Sequence, residues 1–353
     1  MNYTISVLFR AIPAAMAALC VGYGLYCWTA SAGSDYFVAG HVVTFLGAIC
    51  LALFATAATI IRQLVQWYNR FYRWTLPIFA YLVAAATIAF GLRMRVGPTD
   101  VFVAGHVVFG LGLISACVAT VATASTRFTL IPDNSRRAAG DPPPAAAFGA
   151  GTGRLLETIP LILAAVGWAW AIYLLTRATD AAPFIAGHVL AGLAAICTSL
   201  IALVASVVRQ IRNTYTRRDA RLWPALVVAM GTINIVWGIV IVALHREPYW
   251  FAPGFVLIGL GLICFSILSK VLLLALVWRR SFPLANRIPL IPVATALGCL
   301  FLAAFLFQAA VTNEAFFIPA RVLVGLGAIC FSLFSIVSIL ESGTSSAGGG
   351  APQ

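Results

Sequence analysis

The chain of 353 residues is 62% hydrophobic and only 9% charged, with a mean hydropathy of +1.00 and a formal net charge of +12. A soluble domain carries roughly a quarter charged residues, so a water-covered globular fold is excluded and the bilayer becomes the solvent. Long unbroken apolar runs such as LPIFAYLVAAATIAFGL (76–92) and GFVLIGLGLICFSILS (254–269) also exclude a barrel, whose strands would alternate apolar and polar over about ten residues.

The chain opens with MNYTISVLFR, an apolar run and TASAG, a pattern that imitates a cleaved signal peptide. Residues 12–28 are read instead as the first helix of a repeating unit. Five segments align without gaps: FVAGHVVTFLGAIC (37–50), FVAGHVVFGLGLIS (102–115), FIAGHVLAGLAAIC (184–197), FAPGFVLIGLGLIC (251–264) and FIPARVLVGLGAIC (317–330). Their fifth residues are His41, His106, His188, Phe255 and Arg321, at steps of 65, 82, 67 and 66 residues. One insertion, the Pro/Gly/Ala-rich stretch 133–151, accounts for the long step. Such self-similarity is the signature of a tandem array.

Each segment follows another apolar span that carries an early proline: Pro13, Pro77, Pro160, Pro224, and Pro289 with Pro292. Proline is accepted in a first helical turn, so these residues are expected to open the first helix of each unit. By the same logic Pro253 and Pro319 place the start of the second helix near Ala39, Ala104 and Ala186 in the other copies, which puts the His/Phe/Arg position at N3. A helix from Ala39 to about Ile61 would be ~35 Å long, enough to cross a bilayer.

The expected fold is therefore all-α, a polytopic bundle of about ten transmembrane helices in five parallel two-helix repeats. Residues 1–132 hold repeats 1 and 2, 133–153 form a linker, 154–342 hold repeats 3 to 5, and 343–353 form a disordered tail. Sixteen arginines lie between repeats, whereas the loops within repeats hold only Arg93, Arg95, Arg177 and Arg246. The positive-inside rule then places both termini in the cytoplasm. Small residues seven apart (Gly40/Gly47, Gly105/Gly112, Gly187/Ala194, Gly254/Gly261, Ala320/Gly327) share one helix face and predict close packing.

The basic residues are spread over short loops rather than one patch, which speaks against nucleic acid as a partner. The eight cysteines all fall in apolar runs with no CxxC pair, so they read as small buried thiols. Asp35, Asp100, Asp180, Glu247 and Glu314 precede the second helices, mostly after Ser, Thr or Asn, a pattern of turn and capping chemistry.

A cation at N3 opposes the helix dipole, so His41, His106 and His188 are expected to be neutral. Three roles follow: interhelical hydrogen bonding, response to pH or protons, and metal or haem ligation should the repeats close into a ring and bring them together. Arg321 is expected to pair with Glu314. Lys270 either snorkels to the interface or faces the bundle interior and serves ion or proton movement. No Walker loop, HExxH or nucleophile elbow occurs and the loops are short, so no enzyme and no cofactor is expected.

With these segments assembled, the chain resembles the YhiM-type inner-membrane proteins of proteobacteria. The likeness rests on YFVAGHV (36–42), VFVAGHVVFGLG (101–112), SKVLLLALVWRRSFPLANRIPLIPV (269–293) and IPARVLVGLGAICFSLFSIVSILE (318–341). It implies an inner-membrane protein of about ten spans, loosely linked to survival under acid stress, and carries over no catalytic or binding residue. The expectation is a transporter, channel or permeability factor, with a non-conducting pH sensor or scaffold as the alternative and a His-ligated metal or haem protein third. Its partner is the lipid bilayer; a homo-oligomer and the identity of any solute or proton moved stay open.

Overall fold

The computed structural model describes residues 3–30, 34–64, 69–127, 149–247, 249–279 and 287–348. Among these described residues, ten α-helices are long and apolar enough to cross a membrane. In chain order they are α1 (Tyr3–Ala30), α2 (Ser34–Leu64), α3 (Arg70–Met94), α4 (Thr99–Ser125), α5 (Ala150–Leu175), α6 (Ala181–Ile211), α7 (Asp219–Leu244), α8 (Ala252–Trp278), α9 (Leu290–Ala309) and α10 (Phe317–Gly348), the last preceded by a 3-10 turn at Glu314–Phe316. No strand occurs among the described residues.

The helices sort into two layers. In the apolar windows of α2, α4, α6, α8 and α10, 72–83% of residues are buried, against 28–33% in those of α1, α3, α5, α7 and α9, so the former set is the interior. Each inner helix packs against the next, α2 to α4, α6, α8, α10 and back to α2, and the five close a ring. The outer helices lie in the grooves: α1 runs along α2, α3 along α4, α5 along α6, α7 along α8 and α9 along α10. In each outer helix one stripe faces inward (Ala80, Ala84, Thr87 and Gly91 in α3), while Phe79, Leu82 and their like face outward, where lipid is the solvent.

Close approach within each pair depends on the small-residue face. A Cβ added at Gly238 would lie 2.5 Å from the Gly254 carbonyl oxygen, and one at Gly254 would lie 2.6 Å from that of Gly238. Gly40, Gly47, Gly105, Gly112 and Gly261 meet their outer helices in the same way. A second set joins neighbouring inner helices. Leu193 of α6 fills the space above Gly110 of α4, Leu260 that above Gly192, Leu326 that above Gly259 and Leu46 that above Gly325.

Several boundaries depart from expectation. Pro13, Pro77, Pro160 and Pro224 lie inside their helices rather than opening them. Transmembrane helices tolerate interior proline, because neighbouring groups re-satisfy the freed carbonyl. The inner helices α2, α4 and α6 begin five residues or so upstream of Ala39, Ala104 and Ala186. His41, His106 and His188 are thus the eighth residues of their helices, not N3, and the dipole argument for them falls. Pro253 and Pro319 do stand in the first turns of α8 and α10. Of the expected linker, residues 133–148 lie outside the described residues, while Ala150 to Gly153 already belong to α5. Of the expected tail, 343–348 continue α10 and 349–353 lie outside.

Candidate functional site

Five helices of ordinary width, closed into a ring at interaxial distances near 9 Å, stand about 8 Å from their common axis. Side chains of moderate size then fill most of the centre and leave a narrow lumen. The residues that point there recur at steps of 3 and 4, the seam period of parallel packed helices.

At the end carrying the acids, the lumen widens into a chamber of about 310 Å³. Ser34, Asp35, Thr99, Asp100 and Tyr249 line its rim. Its inner wall is a level of five valines, one from each inner helix: Val42, Val107, Val189, Val256 and Val322. Four residues further along each helix stand Leu46, Leu111, Leu193, Leu260 and Leu326, all buried. Beyond them lies a second, smaller cavity of about 30 Å³, walled by Ile49, Ile114, Ile196, Ile263 and Ile329 and, two turns on, by Thr56, Val121, Leu203, Lys270 and Ile336. One or two waters would fill it.

Lys270 is thus the one cation on the axis among the described residues. It is 2% exposed and makes no hydrogen bond or ion pair with any described residue. Of its two expected placements the structure has the interior one.

The three histidines do not converge. Each stands at a lateral joint, between its own inner helix and the outer helix of the following pair. His41 packs on Trp28 of α1, with ring centroids 3.9 Å apart, and stacks with Phe90 of α3 at 5.9 Å. His106 stacks with Trp170 of α5 at 6.2 Å, and His188 with Trp237 of α7 at 6.1 Å. Every imidazole Nδ1 donates to the carbonyl four residues earlier: Phe37 at 2.7 Å, Phe102 at 2.8 Å and Phe184 at 2.8 Å. A carbonyl only accepts, so the proton is assigned to Nδ1 and Nε2 keeps its lone pair. Among the described residues no three His, Cys, Asp or Glu side chains gather as metal ligands.

Arg321 holds the same joint between α10 and α1. Its Nη1 donates to the Phe317 carbonyl at 3.1 Å, and its guanidinium lies 3.3 Å from the Phe317 ring centre and 5.2 Å from that of Phe307. The expected ion pair with Glu314 is absent. An aromatic ring and a carbonyl one turn back satisfy most of the cation, while Nε is left without a partner.

The acids divide. Asp35 and Asp100 sit in the first turns of α2 and α4 and line the chamber, as the helix dipole favours. Glu314 stands beside the chamber wall at Ala315. Asp180 is the N-cap of α6, without a capping bond of its side chain, and its neighbours Ala181 and Ala182 line the chamber in its place. Burial first, then the charges of Asp35, Glu314 and Asp100, raise the pKa of the Tyr249 phenol above its usual value.

Residues 1–345 match a family described as a protein of unknown function, DUF2776. The chain belongs to this family. It is 49% identical over 347 residues to "Inner membrane protein YhiM" of Escherichia coli (strain K12), a match covering 98% of this chain and 99% of the relative. With ten spanning helices, it is a multi-pass inner-membrane protein. Neither name assigns a residue to a role, so the axial lysine and the lateral histidines rest on geometry alone. The aligned segments point to the histidines because they recur. Lys270 occurs in one copy, and nothing but its charge in an apolar run singled it out.

Proposed function

We propose that the chain is a gated permeability pore whose conduction path is the axis of its five inner helices. The observation that supports this is the axis itself: one residue from each inner helix at the valine and isoleucine levels, a chamber open at the acidic end, and beyond it a narrow neck of about 30 Å³ whose isoleucine level is wholly apolar. A narrow apolar constriction gates by expelling water and opens when its walls part or become polar. The arginine-rich end is the cytoplasmic one by the charge rule. On this reading Asp35, Asp100 and Glu314 face outward around the mouth.

The test is flux through purified protein in liposomes. Wild type should be nearly closed, and the polar double substitution Ile196→Ser with Ile263→Ser should admit small ions. A doubly substituted protein that is folded and inserted yet as tight as empty liposomes would sink the pore.

A second reading, a non-conducting sensor of external pH, draws support from His41, His106 and His188. Each holds a joint between helix pairs and keeps Nε2 open to a second proton, which would break its apolar stacking. Loss of low-pH survival in the triple His→Gln variant, with no flux in either form, would favour this sensor over the pore.

A further inference from the structure

Resting on the pore reading, we propose that the axial amine of Lys270 makes the path selective for small inorganic anions, such as chloride and nitrate, over cations. Most other buried hydroxyls of the inner helices have local partners, Ser206 and Ser338 being exceptions that carry no charge and line neither cavity. Ser115, Ser199 and Ser332 donate to the carbonyls four residues earlier, at 2.9–3.0 Å, and Thr59 does so at 2.8 Å. Their hydroxyls are spent on their own helices. Lys270 has no such bond, no carboxylate partner among the described residues and 2% exposure, and it lines a cavity on the axis. Its level offers one other polar side chain, Thr56, whose hydroxyl is turned to the Ala52 carbonyl at 3.4 Å. An ammonium there lacks a protein counter-ion, which an anion passing through the lumen would supply.

The acids at the mouth do not reverse this. Asp35 and Thr56 lie on one helix, 21 residues and so about 32 Å apart along it, some four Debye lengths at physiological salt. Carboxylates at a water-filled mouth are screened at that range, whereas a charge in an apolar neck acts on every ion that squeezes past it. Arg209 and Arg279, towards the far end of the inner helices, carry the same sign as Lys270. The small cavity restricts the species to compact, readily dehydrated ions.

The experiment records reversal potentials under a potassium chloride gradient, using full-length protein with the Ile196→Ser and Ile263→Ser substitutions in bilayers of phosphatidylethanolamine and phosphatidylglycerol. The expected potential lies on the chloride side. Lys270→Gln should bring it towards zero and Lys270→Glu should carry it to the potassium side. Exchanging the two polar residues of this level (Thr56→Lys with Lys270→Thr) keeps an amine on the axis and should restore the chloride side. A potassium-side potential in the starting protein, or an unchanged potential in Lys270→Glu, overturns the selectivity while the pore stands. No current in any opened variant overturns the pore and the selectivity with it.

Discussion

The guanidinium of Arg321 lies over the ring of Phe317, 3.3 Å from its centre, while its Nη1 donates to the carbonyl of that same residue at 3.1 Å. His41 treats Phe37 alike, with ring centroids 4.1 Å apart and a 2.7 Å bond from Nδ1. A permanent cation and a neutral imidazole thus make one contact, from one helix position, to an aromatic residue one turn back. A partly desolvated cation–π contact contributes about 1–2 kcal/mol, and a hydrogen bond about 1 kcal/mol more. Arg321→Ala should therefore lower the midpoint of thermal unfolding in detergent. Arg321→His should recover much of the loss, because the imidazole can donate to Phe317 as its counterparts do. Equal loss in both variants would show that the shared contact contributes nothing.

Glycine substitutions separate packing from propensity. A side chain at Gly238 meets the backbone of Gly254, which cannot move aside without parting α7 from α8. Gly238→Val should cost about 3 kcal/mol or more, the upper end of overpacking penalties. A Cβ at Gly22 of α1 meets nothing within 4 Å. Gly22→Ala should be neutral or stabilise by about 0.5–1 kcal/mol, the helix-propensity gain. Both are read as shifts in the fraction of helix lost on titration with a denaturing detergent. A harmless Gly238→Val would mean that the two helices do not depend on this contact.

Much of this packing was legible beforehand, and the reason is periodicity. Glycines and alanines seven apart predict a close-packed face, and Gly40, Gly105 and Gly254 do meet their outer helices. The five aligned valines at Val42, Val107, Val189, Val256 and Val322 were equally visible, but a linear pattern does not say which of several apolar faces meets the axis. The histidines precede those valines by one residue, about 100° around the helix. That single step turns them from the lumen to the joints. Helix starts lie upstream of the expected ones because proline in lipid is a weaker stop than in water: Pro77 and Pro224 are carried inside their helices. Arg321 does not pair with Glu314, because the ring and carbonyl of Phe317, four residues back on its own helix, hold the guanidinium instead.

Tyr249 reports on the mouth of the chamber. It lies between α7 and α8 with φ of 70°, and its phenol titrates above the usual tyrosine range, chiefly through burial and then through Asp35, Glu314 and Asp100. Neutralising a carboxylate removes a charge that repels the phenolate, so Asp35→Asn and Asp100→Asn should each bring the pKa down towards about 10. The difference in phenolate absorbance between each protein and its Tyr249→Phe counterpart isolates this group. A raised folded-state pKa means that the native form holds its proton longer than the unfolded chain. The stabilisation is then complete below about pH 10 and is lost as pH climbs through the folded value. An unchanged titration in both Asn variants would place the acids too far from Tyr249 to act.

The turn between α6 and α7 at the arginine-rich end is held by one acid. Asp219 is 4% exposed and receives the Thr216 amide and hydroxyl, both at 2.8 Å, and Arg209 at 2.5 Å. Arg209 also reaches Glu157 of α5 at 3.4 Å, so the carboxylate ties the turn to inner helix α6 and outer helix α5 through one guanidinium. Removing it takes the shared acceptor from the Thr216 amide and hydroxyl and leaves Arg209 with its longer, partly exposed partner alone. A hydrogen bond to a charged group contributes about 1.5–3 kcal/mol, less where water replaces it, as it can at the exposed Thr216. Asp219→Ala should loosen 212–218 and speed tryptic cleavage after Arg217 and Arg218. Asp219→Asn keeps an acceptor for Thr216 but loses the charge on Arg209, and should fall between the two. Glu157→Ala should leave cleavage close to wild type, since that contact is the longer and more exposed. Were Glu157→Ala to cleave as fast as Asp219→Ala, the Arg209 pair rather than the Thr216 bonds would be what closes the turn.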